Sequence, residues 1–227
     1  MAASTRIGLI GCGNISPAYF KWCRTFEILD LAACADLDVD RAQARAQEFE
    51  VAKGCSVDEL LADASIDIVV NLTVPDVHAR VNRQILEAGK HAHTEKPFAV
   101  QQADGKATLD LAREKGLRTG GAPDTFLGGG LQTCRKLIDD GWIGEPVAAT
   151  AFMAGRGPEG WHPNPDFFYK AGGGPMFDMG PYYLTALVSL LGAVRRVTGS
   201  ARASFDQRVI TNPEQRTGET IDVDIPT

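Results

Sequence analysis

The sequence has no run of eighteen apolar residues, no C-x-x-C pair and no excess of positive charge. The first absence excludes a helix that spans a membrane. The second leaves five dispersed cysteines (Cys12, Cys23, Cys34, Cys55, Cys134), which points to reduced thiols acting as small apolar core residues. The third argues against nucleic acid as a main partner. Lys and Arg number 23 against 29 Asp and Glu, a formal charge of -6, whereas phosphate binding needs a basic footprint. Histidine is scarce at four residues, and His91-x-His93 lacks a third ligand at useful spacing, so no metal site is expected. No G-x-S-x-G elbow or Cys–His pairing speaks for covalent hydrolysis. Met1 to Arg6 leads into an apolar strand without a signal-peptide core, so a cytoplasmic protein is expected.

What is present is an ordinary globular composition, 44% hydrophobic and 23% charged in 227 residues, enough for one large domain or two smaller ones. The first part alternates apolar strands with amphipathic helices. Strands are expected at Arg6–Ile10, Leu29–Ala35, Ile66–Leu72, His91–Thr94 and Arg118–Gly121. Between them, Ile15, Tyr19, Trp22 and Phe26 fall at helical spacing, Val39–Phe49 is rich in helix formers, and Val77, Val81, Ile85 and Ala88 line one face before Gly89. Ala103, Ala107 and Leu111 mark another helix, ended by Gly116. This alternation predicts an α/β fold with a parallel sheet covered on both faces.

From Pro123 the pattern changes. A helix is expected over residues 130–140, strands at Val147–Ala154, Val194–Phe205 and Thr220–Ile225, a long ordered loop at Arg156–Gly174, and a helix at Met176–Leu191. Met179, Tyr183, Leu187 and Leu190 share one face of that helix. The expected organisation is a Rossmann domain over residues 1–122 and an α+β domain over residues 123–227.

Gly11-Cys12-Gly13-Asn14-Ile15-Ser16 follows the first strand. Gly11 permits a tight turn, Gly13 lets the backbone approach a pyrophosphate, and Ser16 in place of a third Gly still allows close helix–sheet packing. The phosphates would sit on the helix N-terminus, near Asn14 and Ile15. Asp36 ends the next strand, where a carboxylate accepts both hydroxyls of an adenine ribose. Its neighbours Asp38 and Asp40 repel a 2′-phosphate, which favours NAD. Arg41 can instead hold such a phosphate, so NADP stays open.

His93-Thr94-Glu95-Lys96-Pro97 forms a rigid turn after a strand. An ammonium there lies at the carboxyl end of a parallel strand, where it can stabilise charge on an alcohol oxygen. Taken with the Gly-rich turn, Thr73-Val74-Pro75-Asp76-Val77-His78, Ala88-Gly89-Lys90-His91 and Gly172-Gly173-Gly174-Pro175-Met176-Phe177-Asp178-Met179-Gly180, the order of motifs resembles the Gfo/Idh/MocA family of oxidoreductases. The resemblance implies a second domain on an open, mainly antiparallel sheet, with NAD or NADP as cofactor and a sugar, polyol or related substrate. It adds Thr73, Pro75, His78, Glu95 and Lys96 to the cofactor-binding set and puts Lys96 near the reacting oxygen. Members of the family are longer, so the chain is expected to be truncated, with part of the second sheet missing and homo-oligomers forming through that sheet in the full-length protein.

The chain departs from the family pattern at one position. The usual Asp-x-Gly-x-His keeps Asp178 and Gly180, but Tyr182 stands at the His position. Tyrosine ordinarily titrates near about 10, and a cation such as Lys96 lowers that value. Tyr182 and His162, in Trp161-His162-Pro163, are the two candidate proton carriers, and Asp178 orients. Packing on a helix face is the plainer reading of Tyr182 and Tyr183. A nicotinamide-binding sensor without efficient turnover is the alternative to an enzyme.

Overall fold

The computed structural model describes residues 4–227. They form two compact units, residues 4–122 and 123–227. In the first, strands β1 (Thr5–Ile10), β2 (Leu29–Ala35), β3 (Lys53–Cys55), β4 (Ile68–Asn71), β5 (His91–Thr94) and β6 (Thr119–Gly121) make one sheet in the order β3-β2-β1-β4-β5-β6. Every pairing is parallel. Helices α1 (Ser16–Cys23), α2 (Val39–Glu48), α3 (Val57–Ala62), α4 (His78–Glu87) and α5 (Gln102–Glu114) connect the strands. The order reverses between β1 and β4, which opens a crevice beyond their carboxyl ends.

Successive strand residues feed opposite faces. Ile10 and Val69 join a core with Leu60, Ile85 and Leu86, while Leu9 and Val70 join Phe20, Cys34 and Ala42. The strands therefore read as continuous apolar runs. A further strand and helix, β3 and α3, lie where none was expected. Ser56 and Glu59 form a capping box at the start of α3, with Glu59 N–H bound to Ser56 Oγ and Ser56 N–H bound to Glu59 Oε2. Lys90 is buried and donates to the carbonyls of Asp63 and Ile66, at 2.5 and 3.0 Å. It satisfies the carbonyl of Asp63, the C-cap of α3, and that of Ile66 in the loop before β4, which places it in the scaffold.

The face expected for α1 is not the buried one. Trp22 and Phe26 are more than half exposed, whereas Phe20 is fully buried and stacks on Phe49 at 4.8 Å between ring centroids. The Gly-rich turn fixes the rotation of this short helix, and apolar spacing alone does not say which side meets the sheet.

In the second unit, α6 (Gly129–Asp139) precedes a loop with 3₁₀ turns at Pro158–Gly160 and Asp166–Tyr169. Two helices, α7 (Gly174–Asp178) and α8 (Gly180–Leu191), replace the single one expected. Pro181 lacks the N–H that would continue the ladder across Met179. Arg135 of α6 donates to the last carbonyls of α8, at 2.6 Å to Leu190. The antiparallel pair β7 (Gln207–Val209) and β8 (Thr220–Asp222) packs Ile210 and Ile221 against Tyr169. Val147–Ala154 and Val194–Phe205 are not strands. Their side chains are largely exposed, Val147 at 95% and Val197 at 81%, and among the described residues no ladder reaches them. A β-prone segment becomes a strand only when a neighbour takes its backbone hydrogen bonds.

Among the described residues no helix is long and apolar enough to cross a membrane. All five cysteines are free. Cys12, Cys34 and Cys55 are buried, but Cys23 is half-buried and Cys134 exposed, so the expectation of buried thiols holds for three.

The packing of α1 is open to a direct check. Phe20→Ala should destabilise the chain by about 3–5 kcal/mol, and Trp22→Ala by no more than about 0.5 kcal/mol, read by urea unfolding.

Candidate functional site

The loops that leave β1, β2, β4 and β5 all lie at the carboxyl edge of the parallel sheet. Gly11 has φ +102°, and a Cβ there would lie 2.7 Å from the Leu72 carbonyl, so both the turn and its close approach to the end of β4 require glycine. Gly13 differs: a Cβ there would meet nothing within 4 Å. Ser16 is buried and its hydroxyl turns back to donate to the Gly13 carbonyl at 2.8 Å. Helix α1 starts at Ile15 without a side-chain cap and without an acidic residue in its first turn. Ser16 and Ala18 N–H already donate to Gly13 O and Ile15 O, and Pro17 has none, so it is the open space over Gly13 at the positive end of α1 that fits a diphosphate.

Asp36 is buried and both oxygens of its carboxylate accept hydrogen bonds. Oδ2 accepts from Cys12 N–H at 2.7 Å, while Oδ1 accepts from Asp38 N–H at 3.0 Å and from Arg41 Nη2 at 2.6 Å. Burial works to raise this carboxyl, but the hydrogen bonds from Arg41, Cys12 and Asp38 outweigh it and hold it below the ordinary range. Asp38 is the N-cap of α2, accepting from Arg41 N–H at 3.2 Å.

The β4 loop is shaped by a buried amide that sequence reasoning missed. Asn71 donates to the His78 carbonyl at 3.1 Å and to Asn82 Oδ1 at 2.9 Å, and accepts from the Thr73 N–H and hydroxyl. The buried His78 ring lies between two carbonyls, with Nδ1 2.7 Å from Pro97 O and Nε2 2.9 Å from Thr73 O. It ties the loop of Thr73 and Pro75 to the Glu-Lys-Pro turn. Glu95 accepts from the Tyr19 hydroxyl at 2.7 Å and from Lys96 N–H at 3.0 Å, so its carboxylate braces the turn that presents Lys96. The Lys96–Pro97 peptide is cis.

In the second unit the triple glycine lets the chain pass a 3₁₀ turn closely: a Cβ on Gly173 would lie 2.3 Å from Phe167 O. Asp178 ends α7, and Tyr182 and Tyr183 stand in the first turn of α8. His162 is buried among Trp161, Phe167 and Phe168, whose rings approach it edge-on at 5.0–5.4 Å. Burial lowers its pKa, against the opposing effect of the Asp178 charge. The loop that carries it is fastened by Glu159. The buried Glu159 carboxylate accepts from the Tyr169 hydroxyl and from Arg208 Nε, the latter at 2.9 Å. Its carbonyl accepts from Thr211 and Asn212 N–H.

A family model described as an oxidoreductase family with an NAD-binding Rossmann fold matches residues 5–120, and one for the GFO/IDH/MocA C-terminal domain matches residues 131–224. The chain belongs to the GFO/IDH/MocA oxidoreductase family. It is similar to dTDP-3,4-didehydro-2,6-dideoxy-alpha-D-glucose 3-reductase from Streptomyces violaceoruber, at 31% identity over 86% of this chain and 57% of that one. It is similar to inositol 2-dehydrogenase from Rhizobium meliloti, at 30% identity over 75% of this chain and 50% of that one. Among solved structures, an NAD binding oxidoreductase from Klebsiella pneumoniae superposes with a TM-score of 0.80 at 27% identity, covering 97% of this chain and 61% of that one. The chain spans about half the length of the curated relatives it matches.

Within this GFO/IDH/MocA frame, sequence reasoning found the turns but not what holds them. Asn82, Tyr19, Glu159, Tyr169 and Arg208 carried no local signal, because the side chains they bind lie 10 or more residues away, and Asn71 none because it is read only together with Asn82. The Ser56-x-x-Glu59 spacing was a readable signal for α3.

Asp36 gives the site a pH signature. A carboxyl held below its ordinary value stabilises the fold fully above that value, and the contribution is lost as pH falls through the folded-state pKa. Urea unfolding followed from about pH 6 to about pH 2 should show a shallower acid loss in Asp36→Asn than in the unmodified chain, because the variant lacks this titration.

Proposed function

We propose that the protein is a nicotinamide-dependent oxidoreductase that passes a hydride between NAD(P) and a sugar, polyol or related cyclic alcohol or ketone. The observation that carries this reading is the convergence, on one sheet edge, of an uncapped helix N-terminus over open space at Gly13, the Asp36 carboxylate, the Thr73–Pro75 loop and Lys96. The names of the relatives, a dideoxysugar 3-reductase and an inositol dehydrogenase, support the substrate class. On this reading residues 1–122 bind the cofactor and residues 123–227 bind the substrate.

Bound NAD(P) would supply the hydride donor or acceptor. Gly11, Gly13, Asn14 and Ile15 would receive the diphosphate, and Asp36 the adenine ribose. NAD is favoured by Asp36. The Arg41 guanidinium already at its carboxylate is the group that keeps NADP accessible. Lys96 would donate a hydrogen bond to the reacting oxygen and stabilise charge developing there. Tyr182 would pass the proton, with His162 as the alternative carrier, and Asp178 would orient substrate hydroxyls. A cytoplasmic setting fits the free thiols. Self-association through the second unit belongs to the same proposal.

The test is turnover of the full-length protein on a panel of sugars, polyols and their ketones, with NAD and NADP binding measured in parallel. Tyr182→Phe should lower kcat by roughly 10²–10⁴-fold with cofactor affinity nearly unchanged. Lys96→Ala should also lower it, and the double variant should fall short of the product of the two losses. Cofactor binding without turnover on any panel member would overturn the enzymatic reading in favour of a nicotinamide-binding protein.

A further inference from the structure

The two candidate proton carriers are not chemically equivalent, and the difference lies in one hydrogen bond. Asn164 N–H points at His162 Nδ1 with 3.0 Å between the nitrogens. A main-chain N–H only donates, so Nδ1 must offer its lone pair, and the single ring proton of a neutral imidazole resides on Nε2. For the ring to take up a proton from a substrate, either Nε2 must first pass its own proton to Nδ1 and then accept, or Nδ1 must itself be protonated to give the doubly protonated ring. Both outcomes place two N–H groups face to face across that contact and strand the Asn164 donor.

The surroundings oppose any escape from this arrangement. Trp161, Phe167 and Phe168 present ring edges to the imidazole, which restricts its rotation. The backbone on either side is fixed too. His162 N–H donates to Pro158 O at 2.9 Å, and His162 O accepts from Asn212 Nδ2 at 3.3 Å. Asn212 in turn is bound through its N–H to Glu159 O at 3.0 Å, and the Glu159 carboxylate is locked by Tyr169 and Arg208.

We propose that His162 is a neutral, Nε2-protonated hydrogen-bond donor that reads a substrate hydroxyl, and that it does not carry the proton of the reaction. A hydroxyl oxygen accepts, so a fixed N–H matches it. A carbon without a hydroxyl at the same place would leave that N–H unpaired, which gives His162 a role in choosing hydroxylated rings over their deoxy counterparts.

The substrate part of this inference rests on the proposed function, but the tautomer does not. Nitrogen-15 NMR of the chain with labelled histidine should show, for His162, a lone-pair-bearing Nδ1 and a protonated Nε2 at neutral pH. A protonated Nδ1 or a doubly protonated ring would overturn the proposal whether or not turnover is found. In the active full-length protein, His162→Ala should raise KM by about 3- to 10-fold, the scale of one neutral hydrogen bond, and keep the pH profile of kcat. His162→Gln, whose amide restores an N–H near the Nε2 position, should recover most of that loss. If instead both variants lose kcat by roughly 10²–10⁴-fold and a limb of the pH profile disappears, His162 is the proton carrier and the proposal fails.

Discussion

One carboxylate ties the first two turns of the sheet edge together. Asp36 accepts from the Cys12 N–H in the turn after β1, from the Asp38 N–H at the start of α2, and from Arg41 one turn further on. Because Gly11 N–H also donates to Ala35 O at 2.9 Å, the Gly-rich turn has no freedom to drift from the end of β2. The direction of α1, the open space over Gly13 and the place of Tyr19 against Glu95 all follow from where that turn is pinned. A cofactor ribose would meet a carboxylate whose own donors are already in place. Asp36 therefore shapes the protein before it can recognise a ligand.

The same economy holds across the edge of the first unit. Asn71 fixes the β4 loop, His78 joins it to the Glu-Lys-Pro turn, and Glu95 braces that turn against Tyr19. Each contact links one loop to its neighbour, so the positions of Thr73, Pro75 and Lys96 are set by buried polar groups with few alternative partners. In the second unit the counterpart is Glu159, which fastens the loop of His162 to the residues after β7. Both units thus hold mobile-looking, Gly- and Pro-rich loops in single arrangements by buried carboxylates and amides.

The strands of the first unit were legible because a parallel sheet buried on both faces writes continuous apolar runs, as in Leu29–Ala35, and because Gly11, Gly89 and Gly116 punctuate them with positive φ. The orientation of α1 was not legible: Ile15, Tyr19, Trp22 and Phe26 have the spacing of a buried face, but the pinned turn sends Phe20 inward. The short α3 was overlooked although its capping box stands in the sequence. Strand expectations failed at Val147–Ala154 and Val194–Phe205, where propensity was present and a ladder partner was not. The candidate residues themselves were found through motifs. Their tautomers, partners and bracing depend on contacts up to 76 residues apart, which no local pattern records.

The central claim is that the turn after β1 has one glycine for the fold and another for the cofactor, and a paired substitution separates them. Gly11→Ala puts a Cβ against the Leu72 backbone at positive φ and should lower the unfolding free energy. Gly13→Ala meets open space in the chain alone, so it should leave stability unchanged while weakening NAD binding roughly tenfold or more, because the added methyl occupies the approach to the diphosphate. Calorimetric titration of the folded Gly13→Ala protein with NAD is the decisive measurement. Retained stability with lost affinity is the predicted result, and unchanged affinity would contradict the account.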